Sequence, residues 1–283
     1  MTVHIVTDSC CDLPDEIVKE LNIEVVPLFV NLEGVGYRDG IDIDRREFYQ
    51  RLPILKDLPK SSSPSPEAFK SVFNQLADEG AEEILVITIT KVLSETIGWA
   101  QNAAQNFKRT AIQVIDSHNL SLAQGLIVRS AAQAAQAGMK LVELVSLVED
   151  IRSRTFSVAL FDDLRYGIKG GRVTKAQGWM ASVLDIRPVI GVFNDKILME
   201  RVRTRQRAIS YMSEVLNKYA PVDEVAFMHS FAADNILAEA RAIAARVVPA
   251  GKTMLENVLT PIMGTHVGPG SVGFAAITKV TVP

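Results

Sequence analysis

Glu83-Ile84-Leu85-Val86-Ile87-Thr88-Ile89-Thr90 is almost wholly aliphatic and β-branched after its first residue. A strand with one wet face alternates apolar and polar positions, and this one does not. It predicts a strand buried on both faces, which is the pattern of a parallel sheet covered by helices. The flanking segments agree. Ser65-Pro66-Glu67 opens a helix to about Ala77, stopped by Gly80, and a second helix runs from about Ser94 to Phe107. A strand over Ile112 to Ile115 precedes a long helix over Leu120 to Ala137, ended by Gly138, and a further helix over Leu141 to Arg152. Towards the N-terminus, Val3 to Thr7 is a compact strand. Asp12-Leu13-Pro14-Asp15-Glu16 supplies an N-cap, an early proline and first-turn acids. Ile23 to Val30 reads as a strand that Pro27 confines to a sheet edge.

The rhythm changes beyond Arg152. Strand-like runs follow closely over Phe156 to Phe161, Arg187 to Phe193, Ile197 to Arg203, Val225 to His229 and Thr253 to Leu259. Asn194-Asp195 has the chemistry of a hairpin tip, which implies antiparallel pairing. The fold class is therefore α/β in two domains. Residues 1–154 form a parallel-sheet α/β/α domain, and residues 155–283 an α/β sandwich with a more antiparallel sheet.

Composition narrows the function. The 283 residues are 48% hydrophobic and 22% charged, so the chain can bury a core. A net charge of −3 disfavours nucleic acid as a partner. The two cysteines, Cys10 and Cys11, are neighbours, which gives no disulfide framework and fits a reducing compartment. Charge appears at Asp8, before a signal-peptide core could form. The uncharged run Asn257 to Thr278 is broken by Pro261 and four glycines, so it does not read as a membrane helix. A cytoplasmic monomer is the expectation, with no heptad to suggest otherwise.

Hydroxyl side chains gather where strands end and helices begin. Thr7-Asp8-Ser9, Ser61-Ser62-Ser63-Pro64-Ser65, Leu93-Ser94-Glu95-Thr96 and Asp116-Ser117-His118 all occupy such positions. Free backbone N–H groups and hydroxyls there can hold a carboxylate or phosphate, although each motif also reads as an ordinary helix cap. Lys169-Gly170-Gly171-Arg172 places a guanidinium on a closely approachable backbone, or ends a helix with a solvated arginine. Gly264-Thr265-His266-Val267-Gly268-Pro269-Gly270 reads as a glycine-rich loop that presents His266 to a site. No spacing supports a metal site from Cys10, Cys11, His4 and His118. A hydrolase or acyl transferase using Ser94, His266 and Asp8 or Asp116 is the enzymatic alternative, without a Gly-x-Ser-x-Gly elbow. Gly268 to Gly273 spells GxGxxG outside any βαβ unit, and Gly251-Lys252-Thr253 lacks the first glycine of a P-loop. Arg201, Arg203, Arg205 and Arg207 read as a solvated face or as a surface for an acidic partner or lipid.

Six of these segments, in this order, resemble the DegV family of bacterial fatty-acid-binding proteins: Val6-Thr7-Asp8-Ser9 with Asp12-Leu13-Pro14, the serine run at 61–65, Leu93-Ser94-Glu95-Thr96, Asp116-Ser117 with Gln124-Gly125, Lys169-Gly170-Gly171-Arg172, and Thr265 to Gly270. The resemblance covers nearly the whole chain. It implies a long-chain fatty acid buried between two α/β domains, no cofactor and no catalytic residue. It also implies a fatty acid kinase partner that phosphorylates the presented carboxylate, with this chain as the lipid carrier, and allows transient contact with a membrane surface. The family's motif positions place Ser61, Ser62, Ser94, Arg172 and His266 at the carboxylate. Phe161, Trp179, Leu184, Ile186 and Ile190 are the candidate acyl-chain contacts; each also reads as ordinary core.

The chain departs from the family pattern at three positions. Ser61 stands for a threonine, Ser63 for an amide side chain, and Glu95 for a glycine beside the carboxylate site. Glu95 is expected to point to water, where a first-turn acid favours the helix dipole.

Overall fold

The computed structural model describes residues 3–172 and 187–283. Strand β6 (Glu83–Thr88) lies inside a parallel sheet with β1 (Val3–Asp8), β2 (Ile23–Val26) and β7 (Ala111–Asp116), in the order β2-β1-β6-β7. Val6, Ile84 and Val86 pack towards α3 (Pro66–Asp78) and α4 (Thr96–Gln105), through Phe69, Phe73 and Ala100. Ile5, Leu85 and Ile87 face the opposite way, towards α5 (Ser121–Gln136) and α6 (Leu141–Ser153). Both faces are covered, which explains the unbroken aliphatic run.

A second sheet has the order β10-β9-β8-β13-β11-β12, built from β8 (Thr155–Leu160), β9 (Arg187–Phe193), β10 (Lys196–Val202), β11 (Val222–His229), β12 (Leu255–Val258) and β13 (Val272–Thr278). Its pairs are antiparallel except β11 with β12. Ala226, Met228, Ala275 and Ile277 face α5, whereas Phe156, Phe227 and Phe274 face α8 (Arg205–Lys218) and α9 (Asp234–Ala245). The layers therefore run helix, sheet, helix, sheet, helix, with α5 buried between the sheets. Gly125 lets α5 approach closely, because a Cβ there would lie 2.5 Å from the Cys11 carbonyl oxygen. Asn194 and Asp195, at φ 47° and 68°, turn the β9–β10 hairpin as anticipated. The α/β class, with one parallel and one largely antiparallel sheet, is the observed fold. All strands of the first sheet precede residue 117, and all strands of the second follow residue 154.

Three local expectations are corrected. Ile23 to Val30 is not one strand: at Pro27 the chain leaves the edge of the parallel sheet, and β3 (Phe29–Leu32) enters a small antiparallel sheet with β4 (Val35–Arg38) and β5 (Lys60–Ser62). Asp12 does not cap α1 (Asp15–Glu20); Pro14 is its N-cap, and the Asp12 side chain is buried elsewhere. His266 sits on a helix, α10 (Pro261–Val267), not in a loop. Pro261 starts that helix, the Thr265 hydroxyl donates to the Pro261 carbonyl, and Gly268 ends it at φ 72°. Among the described residues, no helix is long and apolar enough to cross a membrane.

Candidate functional site

β1 is followed by a strand on one side of it and later by β6 on the other, so the chain reverses direction in the sheet between β1 and β6. A crevice opens at the carboxyl ends of strands at such a point. Asp8 ties its two walls together, because its carboxylate accepts from the Cys10 N–H (3.0 Å) and the Ile89 N–H (2.7 Å). Burial pushes that carboxyl up to about 6, against the pull of those N–H donors.

The crevice holds a cavity of about 90 Å³. Ser61, Ser62, Ser94, Arg172 and His266 line it, together with Phe161 and Ile190, so these candidates from distant parts of the chain share one space. Trp179, Leu184 and Ile186 lie outside the described residues. The apolar wall includes residues that sequence reasoning missed: Cys10 and Leu28, Ile89 and Leu93, Ile197 from the hairpin, and Ile262 and Met263 from α10. Ile262 and Met263 precede His266 by four and three residues, so a helical reading of 261–267 would have found them.

The polar end is built from three elements. β5 brings Ser61, paired in register with Val30 of β3, so the serine run is partly strand and not a loose loop. Ser65 closes the run by accepting from the Ala68 N–H at the start of α3. Ser61 Oγ is hydrogen-bonded to His266 Nε2 at 2.8 Å. Ser63 Oγ is 3.1 Å from Ser94 Oγ, and Ser94 Oγ is 2.8 Å from Thr96 Oγ1, which makes a chain of hydroxyls. The Ser94 oxygen also accepts from the Thr96 N–H at the start of α4. Ser63, part of the serine run but not counted among the carboxylate residues, is thus part of the network.

His266 is held neutral. Burial first, and the nearby Arg172 guanidinium second, push it down to about 4. Its Nδ1 is buried and has no hydrogen-bond partner among the described residues. Gly170 packs directly against that nitrogen, since a Cβ there would lie 2.3 Å from it. Arg172, exposed, donates to the carbonyls of Gly170 (2.9 Å) and Leu93 (3.4 Å), and so lies across the mouth. Glu95 is exposed, as anticipated, and borders an outer groove with Lys91, Val92, Trp99 and Leu198.

The remaining motifs take other places. The Thr7 hydroxyl donates to the Ile87 carbonyl, and Ser9 Oγ accepts from the Leu28 N–H, so both brace the sheet end. Asp116, His118 and Asp195 bring ligating atoms within 4.8 Å, the sole such trio among the described residues. Their carboxylate oxygens are already engaged by the N–H groups of Lys91 and His118, the Thr90 hydroxyl and the His118 ring. This trio fastens the hairpin tip to the first sheet. Ser94 is bonded to Ser63 and Thr96, whereas the His266 ring is bonded to Ser61. Arg205 and Arg207 are paired with Asp162 and Glu214.

Comparison with known proteins places this arrangement. The family model described as "Uncharacterised protein, DegV family" matches residues 2–279. A DegV domain-containing protein of Listeria monocytogenes is 31% identical over 275 residues, spanning 96% of each chain. A fatty-acid-binding DegV family protein from Thermus thermophilus superposes with a TM-score of 0.88 at 30% identity, covering 98% of this chain and 100% of its own. A stearic acid-binding protein from Eubacterium ventriosum superposes with a TM-score of 0.85 at 25% identity, covering 98% of each chain. Through its sequence and its fold alike, this chain belongs to the DegV family.

Proposed function

We propose that this protein binds a long-chain fatty acid in the crevice and presents its carboxylate to a fatty acid kinase, with no chemistry of its own on the acyl group. The observation that carries the reading is the polarity of the cavity. Apolar side chains line one end, and Ser61, Ser63, Ser94 and His266 gather at the other, beside Arg172. A buried carboxylate is costly unless hydrogen-bonded, and hydroxyls with a flanking guanidinium answer that need. If His266 Nε2 donates to Ser61 Oγ, the Ser61 hydroxyl proton is free to donate to the ligand. The relatives that bind fatty acids support the same reading.

The tail supplies most of the affinity. Each buried methylene contributes roughly 0.8 kcal/mol, so a long chain gains on the order of 10 kcal/mol before binding costs. The space of about 90 Å³ is below the roughly 300–1,000 Å³ of a ligand-filled site, so lining side chains must swing aside on loading. Val92, Trp99 and Leu198 are exposed along the outer groove near Arg172. That face suits a docking partner, the kinase foremost and a membrane surface transiently.

Native mass spectrometry of the purified protein, followed by solvent extraction, tests the proposal. A stoichiometric fatty acid is the expected result, with no turnover of acyl esters. A protein that is empty and refuses added oleate and stearate would overturn it.

A further inference from the structure

The second sheet ends at β10, which pairs with β9 on one side and, among the described residues, with nothing on the other. Its residues run Lys196-Ile197-Leu198-Met199-Glu200-Arg201-Val202. Lys196 and Glu200 are exposed, and Leu198 is 49% exposed. Such an edge presents a row of backbone N–H and C=O groups that a further strand can meet.

The hairpin decides which of those groups face outward. Phe193 and Lys196 flank a two-residue turn, and residues in that position bond to each other. Bonded and non-bonded positions then alternate along an antiparallel ladder. Lys196, Leu198 and Glu200 therefore turn their backbone groups towards β9, and Ile197 and Met199 turn theirs to the open edge. The tip is held in place, because Asp195 accepts from the Thr90 hydroxyl and meets the His118 ring at 3.3 Å. Little ordering is needed to add a strand to an edge already fixed in this way.

The side chains along β10 complement their own sequence run backwards. Two copies can be set antiparallel about a two-fold axis through Leu198. Ile197 of each copy then lies opposite Met199 of the other, and these are the positions whose backbone groups face outward. Lys196 lies opposite Glu200 on both sides of the axis, and the two Leu198 side chains meet at its centre. Cross-strand pairs of opposite charge or of apolar side chains stabilise a sheet, whereas like charges directly opposite destabilise it. Neighbouring registers lack this match. An axis through Met199 sets Leu198 against Glu200 and Lys196 against Val202, and an axis through Glu200 sets two carboxylates against each other. There is also room at the centre. Leu198 pairs in register with Gly191, which has no side chain, and a cavity of about 270 Å³ opens beside them, lined by Val189, Phe193, Tyr211 and Val215.

We propose that two copies of this chain associate through β10, edge to edge and antiparallel about Leu198, joining their second sheets into one. The contact uses the same patch on both copies, so assembly stops at the dimer. One strand pair buries little area, so the dimer is weak and forms at high protein concentration. Ile197, Leu198 and Met199 also line the outer groove beside Arg172, so a second copy occupies the ground that a docking partner would need. The association does not depend on a bound fatty acid.

Sedimentation equilibrium of the full-length protein, from about 1 μM to about 500 μM, tests this. The expected result is a shift from monomer to dimer with concentration. Lys196→Glu and Glu200→Lys each create like-charge pairs on both sides of the axis, and each should raise the dissociation constant by about tenfold. Mixed in equal amounts, the two variants regain both opposite-charge pairs and should associate as tightly as the unsubstituted chain. Both positions are exposed, so neither change disturbs the core. Leu198→Cys should give a disulfide-linked dimer on mild oxidation, since a non-bonded pair brings Cα atoms to about 4.5 Å. Glu200→Cys should not, because its partner across the axis is Lys196. A chain that stays monomeric throughout, or a mixture that associates no better than either variant alone, overturns the proposal. So does a monomer that sediments with phosphatidylglycerol vesicles and loses them in Leu198→Lys, which would assign the edge to a lipid surface.

Discussion

Ser61 Oγ and His266 Nε2 are hydrogen-bonded at 2.8 Å across 205 residues of chain. The contact joins β5, in the first half, to α10, in the second. It makes the carboxylate end of the cavity a property of the assembled fold, and not of any single motif.

Ser61→Ala should leave both nitrogens of a buried ring without partners. The expected cost is about 1–3 kcal/mol in stability and about tenfold or more in fatty-acid affinity. Ser61→Thr restores the hydroxyl and should recover most of both. Displacement of a fluorescent fatty acid, with thermal melts alongside, reads the two effects.

Gly170→Ala places a methyl 2.3 Å from His266 Nδ1 and 3.0 Å from the Tyr166 carbonyl oxygen. The ring must swing from Ser61, so fatty-acid occupancy should drop by about tenfold, as for loss of a charge-assisted hydrogen bond. Unchanged occupancy in a folded variant would show that the position of His266 is not needed.

Glu95→Gln should change fatty-acid affinity by less than about twofold. Glu95 is exposed, and a surface charge turned to water contributes little. An affinity gain of tenfold would mean that the carboxylate faces the ligand when it is bound.

The hairpin that carries Ile190 and Ile197 is tied to the first sheet at its tip. Asp195 accepts from the Thr90 hydroxyl at 2.5 Å, and His118 Nδ1 is hydrogen-bonded to Asn194 Oδ1 at 2.8 Å. Asp195→Ala should release the cavity wall, raise the fatty-acid dissociation rate and cost about 1–3 kcal/mol. Stopped-flow dissociation compared with equilibrium melts would detect it; an unaltered dissociation rate would show that the tie does not control the wall.

The pH dependence of stability has opposed contributions. His266 falls from 6.5 to about 4, so its contribution is complete above about 6.5 and is lost as pH drops through about 4. Asp8 and Asp39 rise from 3.8 to about 6 and about 7. Theirs is complete below about 3.8 and is lost as pH climbs through those values. The Tm of Asp39→Asn relative to the unsubstituted protein should therefore rise from about pH 4 to about pH 7.5. A difference that stays constant would show that Asp39 ionises normally.

Much of this was legible in the residue order. The aliphatic run of β6 announced a covered parallel sheet, because period and burial are local consequences of strand geometry. Asn194-Asp195 announced its hairpin for the same kind of reason. Several elements were hidden, and two of them bear on the site. β13 sits inside the second sheet, yet Val272–Thr278 lies in a long uncharged stretch where the glycines dominated the reading. The helix around His266 was masked by Gly264 and Gly268, although Pro261 marked its first turn.

The sequence by itself determined the covered parallel sheet, the β9–β10 hairpin, the clustering of hydroxyls at strand ends and the outward aspect of Glu95. These follow from side-chain period, capping chemistry and solvation, which act over a few residues. Only the tertiary structure decided that His266 bonds to Ser61 and not to Ser94, that Asp12 and Asp39 both grip α10, and that the hairpin tip rests on His118. Those pairings join residues roughly 80 to 250 apart, and only the packing of the two sheets about α5 brings them within hydrogen-bond reach.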